Sequence, residues 1–173
     1  MKDYAHIQIY NKINLYYLKL FLIRVYFYMF YISHRGNING QNKKEENKPA
    51  YIKMALEKGY DVEIDVRFKD SQFYLGHDFA EHKIESSFLV NKKLWCHAKD
   101  IDALHNLKKI NAHYFWHQED DVTITSKGYF WTYPGKALTD NSICLLPEID
   151  NIKEINCAGI CSDFIQKYVG SAG

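Results

Sequence analysis

The chain lacks the compositional extremes that define several classes of protein. Of its 173 residues only 3 are proline and 9 are glycine, which excludes a collagen-like chain. Hydrophobic residues make up 47% and charged residues 25%, and these ordinary proportions exclude a wholly disordered chain. The net charge is only +1, so no overall field favours nucleic acid or an acidic partner. The composition indicates a globular protein of about one domain.

Cysteine is also scarce, with only four residues in the chain. This number excludes a disulfide-stapled miniprotein. Three residues separate Cys157 from Cys161, but no second Cys/His pair follows at zinc-finger spacing. Because all the cysteines lie in or beside apolar segments, we predict buried free thiols and a reducing, cytoplasmic location. They are Cys96, Cys144, Cys157 and Cys161.

A long hydrophobic run without charge is missing too, although the N-terminal segment comes close to one. All but three residues of Ile13–Ile32 are apolar or aromatic, and two of the exceptions are the cations Lys19 and Arg24. A cation at the centre of a membrane span costs about 2.5–3.5 kcal/mol. No small-residue cleavage site follows, so the pattern favours neither a stable span nor a secretory signal.

Three interpretations of this segment remain open. Residues 7–26 could form an amphipathic helix that associates with a membrane, a helix packed on the domain, or part of an extension outside the working protein. The residues after them, Phe27–Ile32, have the pattern of a first core strand. We therefore expect an apolar and aromatic extension at residues 1–28 and one core domain at residues 29–173.

The core domain alternates strands with helices or loops. Pro49 opens a predicted helix that Gly59 ends, and the segment YDVEIDVRF (60–68) alternates strictly, as a strand does. Leu94–Ala98 is a further strand, after which Asp100 caps a helix. The segment 122–133 is a predicted hairpin. This order indicates an α/β fold with a largely parallel sheet.

Polar side chains follow or interrupt the apolar strands at four points. The four groups are His34-Arg35, Glu63-x-Asp65, His77-Asp78 and His97-x-Lys99. In parallel α/β folds the carboxyl ends of the strands form the ligand site, so we expect these side chains to meet. Each motif alone has a structural explanation: a solvated strand face, a polar turn or a capping pair. Their common order and spacing favour a functional site.

The residue types in these motifs favour phosphate chemistry. Two carboxylates at i and i+2 on a strand point the same way, and paired hard oxygens suit Mg²⁺ or Ca²⁺. Two histidines at strand ends can give and take a proton near neutral pH. Arg35 and Lys99 would neutralise an anion, and phosphate fits both.

The motifs together resemble a known family. ISHRG (32–36), Glu46-Asn47, the helix from Pro49 to Gly59, YDVEIDVR (60–67) and LGHD (75–78) resemble the glycerophosphodiester phosphodiesterases. That family is one of the phosphatidylinositol-phospholipase-C-like phosphodiesterases. The resemblance covers residues 32–78, with Lys48 where the family usually has threonine. It is thin over the rest of the chain.

The resemblance implies a metal-dependent phosphodiester hydrolase whose partner is a small phosphodiester. It implies that His34 and His77 are the acid/base pair and that Arg35 and Lys99 hold the phosphate. Glu63 and Asp65 would bind the divalent metal, which is Mg²⁺ or Ca²⁺ and in one alternative Mn²⁺. More weakly, Glu46 would shape the site or lie near the metal, and Asp163 would lie near the mouth of the site. The roles are implied for His34, His77, Arg35, Lys99, Glu63, Asp65, Glu46 and Asp163.

The sequence departs from the family in two ways. His97 stands where the third metal ligand, a glutamate, is expected, and imidazole suits Mn²⁺ better than Mg²⁺. Glu148 follows another strand and is a candidate replacement ligand, although it could equally be a solvated residue after a proline. The core is also short, because removing residues 1–28 leaves 145 of 173. A full (β/α)₈ barrel takes about 200–250 residues, so we expect a reduced TIM-like barrel.

These departures leave two alternative functions. One is a degenerate barrel that binds phosphorylated ligands without turnover, and the other is a phosphodiesterase that acts on phospholipid. His117, Trp131 and Tyr133 follow or lie in neighbouring strands, so they could form an aromatic wall for a head group. They could equally be core residues beside a polar loop.

Overall fold

The computed structural model describes residues 29–150, 152 and 155–169. In this part of the chain the strands are Phe30–His34 (β1), Asp61–Lys69 (β2), Gln72–Leu75 (β3), His82–Ile84 (β4), Leu94–Ala98 (β5), Tyr114–Trp116 (β6), Val122–Ile124 (β7), Phe130–Thr132 (β8), Ser142–Leu145 (β9) and Gly159–Ser162 (β10). The helices are Pro49–Glu57 (α1), Ser86–Leu89 (α2) and Ile101–Lys109 (α3), with a 3₁₀ turn at Ile165–Lys167.

Local sequence signals explain the two longer helices. Pro49 lies in the first turn of α1, where its missing N–H is harmless, and Ile52 is fully buried on the apolar face of the helix. Asp100 precedes α3, and its Oδ1 accepts a hydrogen bond from the backbone N–H of Ala103 at 2.7 Å. Both helices begin at the residues that the sequence predicted.

The strands form one mixed sheet that curls into a half-barrel. Seven strands run parallel in the order β6-β5-β2-β1-β10-β9-β8. The pairs β2–β3, β3–β4 and β7–β8 are antiparallel. The curl brings the two sides together, because the backbone N–H of Ser126 donates to the Tyr114 carbonyl at 2.8 Å. The carboxyl ends of the parallel strands therefore share one rim.

The predicted α/β fold, a reduced TIM-like (β/α) barrel, is wrong. Among the described residues only α1 and α3 are longer than four residues, and strand–helix alternation is not sustained. Alternation already fails after β2, where Asp70 and Ser71 both have positive φ (48° and 59°) and form a tight turn. Such a turn returns the chain antiparallel to β2 without a crossover helix.

The core has two layers, one on each face of the curled sheet. Val62, Ile64 and Val66 of β2 are fully buried in the layer that also contains residues of α1 and α3. Most of the parallel strands contribute at least one hydrophobic side chain to the inner face of the sheet. These inner residues are Ile32, Trp95, Phe115, Trp131, Ile143, Leu145 and Cys161. Because side chains alternate along a strand, Glu63 and Asp65 belong to the inner face.

Two other predictions concern the cysteines and the N-terminal extension. All four cysteines are buried and free of disulfides, as predicted. Residues 1–28, with the proposed membrane-associating segment 7–26, lie outside the described residues. In the described part of the chain, none of the helices has the length and apolarity needed to cross a bilayer.

Candidate functional site

A cavity of about 280 Å³ opens at the rim formed by the carboxyl ends of the parallel strands. Six of the predicted site residues line it, namely His34, Arg35, Glu63, His77, His97 and Lys99. Asp65 is fully buried beside the cavity and contacts three of them. Of the residues predicted as catalytic or metal-binding, the structure thus brings together all but Glu148, from β1, β2, β5 and the residues that follow β1, β3 and β5.

Glu63, Asp65 and His97 form a cluster that fits a metal ion. One ligand atom from each residue lies within 4.8 Å of those of the other two. Glu63 is 2% and Asp65 0% exposed, yet Glu63 Oε2 and Asp65 Oδ1 make no hydrogen bond of good geometry. Their contacts are longer ion pairs, to His34 at 3.9 Å for Glu63 and to His97 at 3.3 Å and Lys99 at 3.7 Å for Asp65. Buried carboxylate oxygens are costly unless they are well satisfied, and a divalent cation would satisfy both. The donor set therefore suits a divalent metal.

The ring of His97 has its two nitrogens in different surroundings. Nε2 lies 3.0 Å from the His117 carbonyl oxygen, which can only accept, so Nε2 carries a proton. Nδ1 lies 3.3 Å from Asp65 Oδ1 and 3.6 Å from Glu63 Oε1. Burial alone would lower the pKa of His97, but hydrogen bonds with Asp65 and Glu63 raise it to about 9. In metal sites, the ring nitrogen of histidine that does not bind the metal usually donates its proton to a carbonyl or carboxylate oxygen. His97 has this arrangement, because Nε2 donates to a carbonyl and Nδ1 faces the two carboxylates.

Asp65 is held by neighbours on two sides. Arg35 Nε lies 2.9 Å from Asp65 Oδ2, and Asn47 Nδ2 donates to the same oxygen at 2.9 Å. The backbone N–H of Asp65 donates to Asn47 Oδ1, also at 2.9 Å. Burial would raise the pKa of Asp65, but His97, Arg35 and Lys99 lower it well below its usual range. Asp65 is therefore an ionised, fixed carboxylate.

His34 is oriented by a carboxylate on the neighbouring strand end. Its Nδ1 lies 2.8 Å from Asp163 Oδ1, so this nitrogen donates and Nε2 is left on the side of Glu63, 3.9 Å from Oε2. Burial lowers the pKa of His34, but the hydrogen bond with Asp163 and the charge of Glu63 together raise it. Asn37 Nδ2 donates to Asp163 Oδ1 at 2.8 Å and to Glu46 Oε1 at 2.9 Å.

His77 lies on the more open side of the cavity, immediately after β3. Its side chain is 43% exposed, and Nδ1 lies 2.7 Å from Asp78 Oδ1. Gly76 shapes this turn, because its φ is +145° and a Cβ there would lie 2.1 Å from the Phe79 carbonyl oxygen. Of the two histidines predicted as the acid/base pair, His34 is thus buried and His77 exposed, and each is paired with an aspartate.

Glu148 is the predicted ligand that the structure does not bring to the cluster. Its Oε2 accepts from Ser162 Oγ at 2.9 Å, and its Oε1 accepts from the backbone N–H of Asp163 at 3.0 Å. These bonds hold the end of β10, where Asp163 contacts His34. Glu148 thus supports the histidine instead of completing the metal cluster. Glu46 does not line the cavity, but its Oε2 lies 3.2 Å from Arg35, which does.

The aromatic residues form part of the cavity wall and part of the core. Trp131 is 2% exposed and stacks on Phe115 at 4.5 Å, whereas Tyr133 is 46% exposed. The ring of His117 lies 4.9 Å from that of Tyr133. Burial is the main cause that lowers the pKa of His117, and the charge of His97 lowers it further. The sequence left open whether these residues form a wall of the site or part of the core. Trp131 belongs to both, because it is buried in the inner core and also lines the cavity.

Sequence reasoning gave no role to Asn37 or Asn47. Asn47 has φ of +61°, a conformation that asparagine tolerates better than most residues. Its place beside Glu46 in the family-like motif was the available signal. Asn37 directly follows the His34-Arg35-Gly36 turn, but its contacts are with residues 9 and 126 positions away. No local pattern predicts such contacts.

Comparisons with known proteins leave the family unassigned, since no family model, curated protein or solved structure matches this chain.

Proposed function

We propose that this protein is a metal-dependent phosphodiester hydrolase of the glycerophosphodiester phosphodiesterase type. One observation carries the proposal: the buried carboxylates of Glu63 and Asp65 lie with His97 Nδ1 in one cluster, beside a cavity that His34 and His77 also line. These groups are the ones required for cation-assisted cleavage of a phosphate ester.

The substrate's phosphate would lie against Arg35 and Lys99. Arg35 is anchored by Asp65 and Glu46, so its guanidinium is held in place at the cavity wall. Lys99 Nζ lies 3.7 Å from Asp65 Oδ1 and reaches the same wall. A planar guanidinium and a point-charge ammonium together suit the tetrahedral anion.

The two histidines would move the protons. One accepts the proton of the attacking oxygen, which comes from water or from a neighbouring hydroxyl of the substrate, and the other donates a proton to the departing alkoxide. Asp163 and Asp78 hold the Nδ1 atoms of His34 and His77, so each ring presents Nε2 to the reaction. A divalent cation bound by Glu63, Asp65 and His97 would supply positive charge for the phosphoryl oxygens. His97 favours Mn²⁺ over Mg²⁺ or Ca²⁺ in this set.

A second candidate is a protein that binds phosphorylated ligands without turnover. His97 Nδ1 lies close to both carboxylates, and the raised pKa of His97 favours an imidazolium there. An imidazolium would supply a positive charge between Glu63 and Asp65 in the absence of a metal. For either candidate we propose a cytoplasmic location, supported by four buried free thiols.

Hydrolysis assays with the full chain test the proposal. The substrates are bis(4-nitrophenyl) phosphate, a glycerophosphodiester and phospholipid vesicles, each with Mg²⁺, Ca²⁺, Mn²⁺ or a chelator. We expect turnover that requires a metal, is highest with Mn²⁺ and falls by about 10²-fold or more in His34→Ala and His77→Ala. His105→Ala, which changes an exposed histidine, is the matched control and should retain activity. A folded protein inactive with every metal would support the binding protein instead, and turnover of vesicles alone would support the phospholipid alternative.

A further inference from the structure

The walls of the cavity differ in charge. The residues from β1, β2 and β5, which are neighbours in the sheet, are His34, Arg35, Glu63, His97 and Lys99. The residues from β6, β8 and β9, or just after these strands, are Trp116, His117, Gln118, Trp131, Tyr133, Leu145 and Leu146. One wall is therefore charged and suits the phosphate, whereas the other carries no cationic side chain and no carboxylate.

His117, on the uncharged wall, has one buried ring nitrogen without a hydrogen bond, Nε2. His117 as a whole is only 6% exposed, so a ring atom left without a partner there is not satisfied by bulk water. The backbone carbonyl of His117 is held by His97 Nε2 at 3.0 Å, and its ring packs against that of Tyr133. A buried polar atom without a partner is costly. A ligand that forms a hydrogen bond with Nε2 should therefore bind more tightly than a ligand that does not.

We propose that this wall is the subsite for the alcohol part of the substrate, and that His117 Nε2 selects an alcohol bearing a free hydroxyl. The inference rests on the proposed function, which places the phosphate on the charged wall. A hydroxyl both donates and accepts, so it pairs with Nε2 in either neutral tautomer of the ring. The aromatic faces of Trp116 and Tyr133 suit the C–H groups of a polyol.

The size of the cavity limits the alcohol. A volume of about 280 Å³ lies just below the range of about 300–1,000 Å³ that is typical of sites for drug-sized ligands. The cavity therefore fits a phosphate together with a short polyol or one monosaccharide. Pairing with an otherwise unpaired group changes affinity by about 10- to 100-fold.

Calorimetry with the full chain tests the subsite without requiring turnover. The ligands are glycerol 3-phosphate, glucose 6-phosphate and propyl phosphate, which lacks hydroxyls. We expect at least one hydroxylated ligand to bind about 10-fold more tightly than propyl phosphate. The relative affinities of glycerol 3-phosphate and glucose 6-phosphate show whether the subsite prefers an open-chain polyol or a sugar ring.

Variants of His117 show whether this residue causes the preference. His117→Phe keeps an aromatic ring without the nitrogen, so we expect it to remove the preference, with the hydroxylated ligands binding no more tightly than propyl phosphate. His117→Asn, which keeps a polar atom, should retain part of the preference. Equal binding of all three ligands, binding of none, or an unchanged preference in His117→Phe would each overturn the subsite. Absence of turnover with the preference intact would overturn only the hydrolase.

Discussion

Replacing Asn47 with alanine tests whether the site depends on a precise support for Asp65. Asn47 is 2% exposed and makes two hydrogen bonds with Asp65, one to its carboxylate and one from its backbone N–H. Its φ of +61° places it in the left-handed region. Alanine would remove both bonds and would also be strained in this conformation.

The cost can be estimated from these contacts. A hydrogen bond to a charged group contributes about 1.5–3 kcal/mol, and a buried N–H left without a partner costs about 1–3 kcal/mol. A left-handed conformation costs a residue other than glycine or asparagine about 1–2 kcal/mol. We therefore expect Asn47→Ala to lower the free energy of unfolding by about 4 kcal/mol or more. Asn47→Gly loses the same bonds without the strain, so it should be less destabilised by about 1 kcal/mol.

Urea unfolding at pH 7 measures both variants against the natural chain. The midpoint should fall in the order natural chain, Asn47→Gly, Asn47→Ala, with a common slope. An Asn47→Ala protein within about 0.5 kcal/mol of the natural chain would show that Asn47 does not support Asp65, because surface substitutions have effects of that size. Equal destabilisation by glycine and alanine would refute the part that concerns backbone conformation.

Three further predictions concern pH, a glycine and the metal preference. Burial lowers the pKa of His113 to about 4, below its unfolded value of about 6.5, so stability is lost as pH falls from about 6.5 to 4. In urea unfolding at pH 7 and 4.5, His113→Phe should lose less free energy of unfolding on acidification than the natural chain. An equal loss would exclude His113 as a cause of the acid sensitivity. Gly76→Ala should lower Tm more than Gly128→Ala, because a Cβ at Gly128 meets nothing within 4 Å; equal shifts would contradict the close approach to Phe79. His97→Glu should raise Mg²⁺ affinity relative to Mn²⁺ by calorimetry, and an unchanged ratio would exclude His97 as a ligand.

The local elements were predictable because their signals are local. The strict alternation of residues 60–68 gave β2, and the hairpin of β7 and β8 has the predicted turn between residues 124 and 130. Asp100 caps α3 as expected. The meeting of His34, Glu63 and His97 followed from the parallel pairing of β2 with its neighbours, because the ends of β1 and β5 lie beside Glu63 and Asp65 in the register.

The closure of the sheet was not predictable in the same way. The tight turn at Asp70 and Ser71 is a local feature, but the antiparallel return of β3 onto β2 depends on how the sheet assembles. The parallel pairing of β10 with β1 places Asp163 against His34, from 129 residues away, and the pairing of β9 with β10 brings Glu148 to Ser162. Contacts over such separations depend on the assembled sheet, so spacing in the sequence could not identify the role of Glu148.

Calorimetry with Mn²⁺ and the full chain measures whether Glu63, Asp65 and His97 hold a metal ion. We expect one site per chain, lost in Glu63→Gln and in Asp65→Asn, because each change removes a buried carboxylate from the cluster. Glu148→Gln is the matched control, since this carboxylate lies outside the cluster and its loss should leave a Mn²⁺ site. Absence of Mn²⁺ binding by the natural chain, or binding unchanged in Glu63→Gln, would show that the cluster is not a metal site.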